Sequence, residues 1–234
     1  MSYQQDRRAF LKLVGVSGVV FASRLTGCGA NSQYALPADF FFMQLSDTHI
    51  GYSGPANPNA TTTLPLTIAA INAMPLQPDF IIFTGDLTHT TDDPGVRQMR
   101  MTQFQQMAAM LKAPTVHFMP GEHDAAPDGG LIYQKNFGAL NYSFDYKGVH
   151  FVTLDNVSDP MGKLGSAQID WLKKDLMPLN PNQPIVVFAH RPLFMLYPQW
   201  EWDTPDGQTA SKKQWPRIWP SALIAGGPRR RIAC

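Results

Sequence analysis

The sequence predicts a layered α/β protein, and its alternation of two local patterns supports this fold class. Apolar, β-rich runs that stop at polar residues alternate with stretches of helical spacing. The runs read FFFMQLSDTH, DFIIFTGD, TVHFMPGEHD and IVVFAH. Because they are apolar on both faces, we expect them to be buried strands of a covered sheet. A hairpin signal later in the chain predicts that the sheet is mixed rather than purely parallel.

Each predicted element follows from a local pattern. The four runs predict strands that begin near Phe40, Asp79, Thr115 and Ile185. Helical spacing predicts helices over Leu64–Met74, Val96–Leu111 and Ser166–Leu176. Two further β-rich segments, Asn141–Tyr146 and Val149–Leu154, are joined by Lys147-Gly148, which is typical of a hairpin.

Composition excludes some functions. The chain has 234 residues, of which 44% are hydrophobic and 16% charged, as in an ordinary globular protein. The formal net charge is only +1, with both signs interspersed, so we expect no specific nucleic-acid binding. Cys28 and Cys234 lie near opposite ends and form neither a disulfide framework nor a metal knuckle by spacing.

Residues 1–28 have the features of an export signal. A basic segment precedes an apolar run that is too short to span a bilayer. Arg7-Arg8 resembles a twin-arginine signal, although Asp6 replaces the usual Ser or Thr, and Leu25-Thr26-Gly27-Cys28 resembles a bacterial lipoprotein box. We therefore expect an exported protein, periplasmic or membrane-anchored through a lipidated Cys28, with residues 29–38 as a linker. The alternative is an amphipathic helix with an incidental cysteine.

Acidic and imidazole side chains follow all four apolar runs. In open α/β sheets, ligands bind outside the carboxyl ends of the strands, so we expect these side chains to converge on one rim. They are Asp47, His49, Asp86, Glu122, His123 and His190. Carboxylates mixed with imidazoles, without thiolates, suit Mn, Fe, Zn, Co or Ni, and a carboxylate can bridge two ions. The sequence therefore predicts a binuclear metal centre.

These motifs, in this order and spacing, resemble the calcineurin-like metallophosphoesterase family. The motifs are Asp47-Thr48-His49, Gly85-Asp86, Gly121-Glu122-His123-Asp124 and His190-Arg191-Pro192. The resemblance covers a domain at residues 39–197. It implies an α/β/β/α sandwich of two mixed sheets, with the metals at one sheet edge. It also implies hydrolysis of phosphomonoesters or phosphodiesters, with a small-molecule or nucleotide-type substrate.

The resemblance also assigns a role to each motif residue. Asp47 and His49 would bind the first metal and Asp86 would bridge both, with Glu122 and His190 on the second. His123 would not bind metal but would donate a proton to the leaving oxygen or stabilise phosphoryl charge. A hydroxide held by the metals would be the nucleophile.

Two positions depart from the family pattern. Glu122 stands where the family usually has Asn, and its added negative charge favours diesters or a different metal preference. His89 stands where some members have an Asp that orients the catalytic imidazole, so we expect Asp124 to take that part. The role of His89 is left undecided, and His117 and His150, inside strand runs, are interpreted as packed or solvent-facing side chains.

The segment 198–234 does not fit the family. Members carry a Gly-His-x-His motif after the strand of His190, whereas no histidine follows His190 here. The segment is interpreted as an atypical tail from truncation or a shifted reading frame, which would leave the fold incomplete. We therefore expect weak metal retention and poor hydrolysis by the chain as written. The alternatives are a catalytically impaired remnant and an anion-binding protein of the same fold.

Overall fold

A computed structural model of the chain describes residues 21–24, 40–192 and 232–233. Most of the predicted export signal, including Cys28, lies outside these residues, as do the linker 29–38 and nearly all of the tail 198–234. Within the described part, no helix is both long enough and apolar enough to cross a bilayer. The chain divides into two units, Met1–Ala139 and Leu140–Cys234. Each unit contains one four-stranded sheet.

The sheet of the first unit is mixed. Its strands are β1 (Phe21–Arg24), β2 (Phe41–Leu45), β3 (Phe80–Thr84) and β4 (Val116–Met119), in the order β1-β2-β3-β4. β1 pairs antiparallel with β2, whereas β2, β3 and β4 are parallel, with Phe42 opposite Phe80 and Ile81 opposite Val116. β1 falls within the segment interpreted as an export signal, and that interpretation stays a prediction.

In the described part of the first unit, four helices accompany this sheet: α1 (Ala60–Asn72), α2 (Pro94–Ala108), α3 (Glu122–Ala125) and α4 (Leu131–Phe137). α2 begins where expected for its sequence, because the Asp93 carboxylate accepts hydrogen bonds from the backbone N–H groups of Gly95 and Val96. Pro94 occupies the first helical turn, where its missing N–H costs nothing. α1 and α2 match predicted helices, whereas α3 and α4 were not predicted.

The core of the first unit lies around β3. Every residue from Phe80 to Thr84 is buried, which confirms the prediction of a strand covered on both faces. Phe83 contacts the rings of Phe104 and Phe118, with centroids 5.1 and 5.6 Å away. β4 is less covered than its sequence predicted, since only Met119 of its residues is fully buried.

The second unit also has a mixed sheet. Its elements are β5 (Tyr142–Tyr146), β6 (Val149–Leu154), α5 (Ser166–Leu176), β7 (Ile185–Ala189) and β8 (Ile232–Ala233). β5 and β6 are antiparallel, which confirms the predicted hairpin, and β6, β7 and β8 are parallel. Lys147 and Gly148 both have positive φ, as a tight two-residue hairpin turn requires. Both sheets of the α/β fold are therefore mixed, as predicted.

A buried ionic network joins three elements of the second unit. His150 of β6 is 4% exposed, and its ring nitrogens lie 3.0 Å from Asp145 Oδ1 and 2.9 Å from Asp175 Oδ2. The Ser143 hydroxyl donates to the other Asp175 oxygen at 2.6 Å. In the first unit, His117 packs its ring against Phe80, with centroids 5.6 Å apart. Both histidines are thus packed side chains, as predicted.

Candidate metal centre

The predicted donors of the first unit lie in loops that follow β2, β3 and β4. The first two loops continue to pair after their strands end: Asp47 N–H donates to Gly85 O at 3.0 Å, and His49 N–H donates to Asp86 O at 2.9 Å. Ile50 N–H then donates to Leu87 O at 3.1 Å. This pairing sets the aspartates and His49 side by side at the carboxyl edge of the sheet.

The backbone at three of these donors is strained. Within the described residues, positive φ outside glycine occurs at Asp47 (59°), His49 (44°) and Asp86 (51°), and at Lys147 of the hairpin turn. A non-glycine residue in this region costs of order 1–3 kcal/mol and persists only where the surroundings demand it. Such strain is concentrated at functional sites, so its occurrence at three predicted metal ligands supports a functional role for this edge.

Asp86 is the centre of the group. It is 3% exposed, and its Oδ2 lies 3.5 Å from His49 Nε2 and 3.8 Å from His123 Nε2. Its Oδ1 accepts a hydrogen bond from the His123 backbone N–H at 2.9 Å. Asp47 Oδ1 lies 3.7 Å from His49 Nε2 on the more exposed side. A buried carboxylate between two imidazoles can bind a metal cation through its oxygens.

The local charges determine the ionisation of His49. Burial pulls the pKa of His49 down, but the hydrogen bond with Asp47 and the charge of Asp86 outweigh burial and raise it above its ordinary value. The carboxylates therefore attract positive charge to this position. A metal cation would satisfy the same field, because it binds the imidazole lone pair that the added proton of the imidazolium would otherwise occupy.

The loop after β4 carries Glu122 and His123 at the start of α3. Donor atoms of Asp86, Glu122 and His123 lie within 4.8 Å of one another. His123 Nδ1 accepts a long hydrogen bond from Thr90 N–H, at 3.4 Å. This bond requires an unprotonated Nδ1, so the proton of a neutral His123 lies on Nε2, the nitrogen that faces Asp86.

Asp124 has a different role from the one expected of it. Its carboxylate accepts hydrogen bonds from the N–H groups of Leu87, Thr88 and Gly121 and from the Thr88 hydroxyl, at 2.9–3.0 Å. It therefore ties the loop after β3 to the loop after β4, and the N–H of Thr90, rather than Asp124, contacts the His123 ring. Burial and the charge of Asp86 raise the pKa of Asp124 to about 7, against the lowering effect of the backbone hydrogen bonds.

His89, whose role the sequence left undecided, belongs to the same cluster. Its ring centroid lies 5.5 Å from that of His49 and 4.8 Å from that of His123. Burial and the charges of His123, His49 and Arg100 lower the pKa of His89, so the ring is neutral at neutral pH. Its backbone N–H donates to Ile50 O at 3.0 Å, a non-local contact that no motif in the sequence signals.

His190 lies in the second unit, directly after β7, and is half-buried. The loop that carries it is held by Asn156, a fully buried side chain. Asn156 Nδ2 donates to Arg191 O at 2.7 Å, and Arg191 N–H donates to Asn156 Oδ1 at 3.3 Å. This local geometry holds the backbone at His190 in place, and its assignment as a metal ligand stays a prediction.

The residues of the first unit fit a metal site by their chemistry. Asp47, Asp86 and Glu122 supply carboxylate oxygens and His49 supplies an imidazole, which are ligands of first-row transition metals. His49 Nε2 lies 3.7 Å from Asp47 Oδ1 and 3.5 Å from Asp86 Oδ2, donor atoms of Asp86 and Glu122 lie within 4.8 Å of each other, and the loops are fixed by backbone hydrogen bonds independent of any ion. Both observations support the predicted metal dependence.

Comparisons with known proteins identify relatives that are phosphoesterases. A family model described as "Calcineurin-like phosphoesterase" matches residues 42–215. A probable cyclic nucleotide phosphodiesterase of Rhodococcus erythropolis is 27% identical over 170 residues, covering 70% of this chain and 56% of the relative. A probable glycerophosphodiester phosphodiesterase of Arcobacter nitrofigilis is 27% identical over 160 residues, covering 64% and 56%.

A solved structure with partial likeness is a purple acid phosphatase from yellow lupin, with a TM-score of 0.42 and 18% identity. The match covers 67% of this chain and 33% of the phosphatase. Our chain spans about half the length of the curated relatives it matches, 56% for the two described above.

Proposed function

Because the chain belongs to the calcineurin-like phosphoesterase family, we propose that the protein is a metal-dependent hydrolase of phosphodiesters. The match of the family model to residues 42–215 supports the reaction class. The observation that carries the site assignment is Asp86, a buried carboxylate between two imidazoles, in a strained backbone conformation. A structural aspartate at the end of a strand needs none of these features.

A phosphodiester substrate suits the charge of the site. Three carboxylates, those of Asp47, Asp86 and Glu122, follow the parallel strands β2, β3 and β4, and each would repel an approaching anion. A diester carries one negative charge where a monoester dianion carries two, so the repulsion is smaller for the diester. The two relatives named above are described as a cyclic nucleotide phosphodiesterase and a glycerophosphodiester phosphodiesterase. We therefore propose a small-molecule diester of the cyclic nucleotide or glycerophosphodiester class.

We propose a binuclear centre on the carboxyl edge of the first sheet. Asp47, His49 and Asp86 would hold one ion, and Asp86 and Glu122 would contribute to the second. Metal ions in such a site supply an acidified water as nucleophile and neutralise charge on the phosphoryl oxygens. Manganese, iron, zinc, cobalt and nickel all fit this donor set.

His123 is proposed to act on the leaving group. The contact of Thr90 N–H with Nδ1 leaves the ring proton on Nε2, which faces the rim of carboxylates. The His123 backbone N–H is bonded to Asp86 Oδ1, so the ring and the central carboxylate are held in one arrangement. An imidazole N–H positioned in this way can donate a proton to an alkoxide leaving group.

The experiment compares metal content and turnover in the full chain. Metal-free protein is loaded with Mn²⁺, and bound metal and hydrolysis of bis(4-nitrophenyl) phosphate and 4-nitrophenyl phosphate are measured. Asp86→Asn should lower both metal content and diester hydrolysis, whereas Asp170→Asn, an exposed aspartate on α5, should lower neither. Unchanged hydrolysis in Asp86→Asn would refute the site. Metal binding without hydrolysis by the unmodified chain would instead support a catalytically impaired remnant.

A further inference from the structure

The three histidines at the carboxyl edge of the first sheet form a compact group of their own. The rings of His49, His89 and His123 have centroid separations of 5.5, 4.8 and 4.8 Å. One ring nitrogen from each lies within 4.8 Å of the other two. The roles proposed above use His49 and His123 but leave His89 without a function.

The nitrogens of this group include two with no protein partner. Among the residues that the structure describes, the Nδ1 atoms of His49 and His89 are buried and make no hydrogen bond. A buried polar atom left without a partner costs free energy, and such atoms are rare in folded proteins. Two neighbouring imidazoles with unpartnered buried nitrogens indicate that a bound ion or molecule contacts them.

We propose that His49, His89 and His123 form a transition-metal site in which His89 is an additional ligand. Three imidazole nitrogens favour Cu²⁺, Ni²⁺ or Zn²⁺ over Mg²⁺ or Mn²⁺, and the Asp86 carboxylate, whose Oδ2 lies 3.5 Å from His49 Nε2 and 3.8 Å from His123 Nε2, is the oxygen donor beside them. Three histidines with an open fourth position also form a known type of zinc site. The donor set therefore differs in metal preference from the carboxylate-rich set around Asp86 and Glu122.

The geometry allows this site with small movements of side chains. Nitrogens that share one tetrahedral zinc ion, at about 2.0–2.1 Å from the metal, lie about 3.4 Å apart. The separations here reach up to 4.8 Å, so each ring has to move by about 1 Å or less. The backbone of His89 stays in place, because its N–H donates to Ile50 O and its carbonyl accepts from Arg100 Nη1 at 2.7 Å.

Occupation of this site has a consequence for activity, which, unlike the site itself, rests on the proposed function. A metal ion on His123 uses the lone pair or displaces the proton that the leaving group needs. Excess Zn²⁺ or Cu²⁺ would therefore inhibit hydrolysis supported by Mn²⁺. The three histidines would act as an inhibitory metal site that shares His49 with the catalytic one.

The test measures binding directly, so that its failure is separate from any failure of the proposed activity. Metal-free full chain carrying Asp47→Asn, which weakens the carboxylate-rich set, is titrated with Cu²⁺ and followed by electron paramagnetic resonance. We expect coupling to three imidazole nitrogens. Adding His89→Gln should remove one nitrogen and lower Cu²⁺ affinity at least tenfold, since loss of even an outer partner of a metal ligand typically costs 10–100-fold.

The matched control is His117→Gln in the same background. His117 is also half-buried but packs against Phe80, away from the group of three, so its loss should leave the spectrum unchanged. Circular dichroism checks that each variant is folded. Coupling to fewer than three nitrogens in the parent, or an unchanged spectrum and affinity after His89→Gln, would overturn the proposal. The number of coupled nitrogens in the parent needs no histidine variant, so it tests the proposal even if His89→Gln does not fold.

Discussion

Three residues of the proposed metal centre face two local demands that conflict. Asp47, His49 and Asp86 must present side chains to one point, and the loops achieve this only with left-handed backbone at each of them. Glycine would adopt that backbone without strain but offers no ligand. The unfavourable backbone conformation is thus required to place the donor side chains there. The backbone hydrogen bonds between the loops after β2 and β3 offset its free energy.

The strain can be measured at Asp47. Its side chain is 49% exposed, so removing it loses little packing. Asp47→Ala keeps the unfavourable φ of 59°, whereas Asp47→Gly relieves it. We expect the metal-free glycine variant to be more stable than the alanine variant by about 1 kcal/mol. Hydrogen exchange of the β2 and β3 amides measures the difference, and both variants should bind metal weakly. Equal stability would show that the backbone at Asp47 is not strained.

His123 is predicted to contribute to turnover much more than to metal retention. Replacing it with Gln should reduce diester hydrolysis by about 10²- to 10⁴-fold, the usual effect of removing one acid-base group. Asp47, His49 and Asp86 remain as the proposed metal ligands, so metal content should equal that of the unmodified chain. Turnover and metal content are measured on the same samples after dialysis against metal-free buffer. A parallel loss of both would identify His123 as a structural or metal-binding residue instead.

At the scale of elements, the junction between the loop after β3 and α3 is the tightest part of the site. Gly121 precedes α3, and a Cβ atom there would lie 2.0 Å from Asp86 Oδ1 and 2.2 Å from Asp86 N. Its φ of −104° is open to any residue, so glycine is required by space alone. Asp124 closes the same junction by accepting the N–H groups of Leu87, Thr88 and Gly121.

Gly121→Ala should therefore disrupt the site. The added methyl group collides with backbone, which cannot turn aside as a side chain can, so we expect a loss of about 1–3 kcal/mol or more in stability. Metal affinity should fall as well, because Asp86 is displaced. Gly165→Ala is the control, since Gly165 also precedes a helix in extended backbone but has open space around its Cβ position. Thermal unfolding and metal titration of both variants provide the comparison, and similar behaviour would refute the steric argument.

At the scale of the whole molecule, each unit has a buried ionisable side chain whose hydrogen bonds join several of its segments. In the first unit, the Asp124 carboxylate joins the loops after β3 and β4 by accepting hydrogen bonds from the N–H groups of Leu87, Thr88 and Gly121. The second relies on His150, which links β5, β6 and α5 through Asp145 and Asp175. The two side chains respond differently to solution conditions, because only the second depends on a protonated imidazole.

Stability of the second unit should fall as the pH rises. Burial lowers the pKa of His150, but the hydrogen bonds and charges of Asp175 and Asp145 outweigh it, so the folded pKa is raised. The stabilisation by protonated His150 is fully present below the pKa of the unfolded chain, about 6.5, and is lost as the pH rises through the pKa of the folded protein. We expect a contribution of about 1–3 kcal/mol, as for charge-assisted hydrogen bonds.

The measurement is denaturant unfolding between pH 6 and 9, followed by the fluorescence of tryptophan, which in this chain occurs only in the second unit. His150→Gln should flatten the decline. His117→Gln is the control, because His117 lies in the first unit and its loss should leave the decline reported by tryptophan in the second unit unchanged. A decline that persists unchanged in His150→Gln would contradict the assignment.

The sequence predicts the parts of this fold that local patterns determine. The apolar run at Phe80–Thr84 is a buried strand, and the helix predicted over Ser166–Leu176 has those bounds in the structure. Asp47 and Asp86 lie at one sheet edge because they follow parallel strands, whose carboxyl ends share that edge, and their assignment as metal ligands stays a prediction. The family assignment, made from the same motifs, is confirmed by the family model.

Features that depend on contacts between distant loops were beyond a reading of the sequence. The N–H of His89 reaches Ile50 O, which brings His89 to His49, although nothing near either residue signals the contact. Asp124 was expected beside the His123 ring and instead binds backbone of two loops. Helix α4 was missed because a seven-residue segment shows too little periodicity to be distinguished from a turn.

The parallel pairing of β2, β3 and β4 has a consequence for the order of folding. Strands paired in parallel are joined by long crossovers, so their contacts form slowly and after local helices and hairpins. The loops that carry Asp47, His49 and Asp86 meet once β2 and β3 have paired, and Glu122 joins them only after β4 has docked on β3. A chain still emerging from the ribosome would therefore lack Glu122, a proposed ligand of the second ion, until β4 and the residues that follow it have been added. Added metal should therefore slow unfolding and leave the rate of refolding unchanged, because the metal–ligand interactions are absent from the transition state for folding.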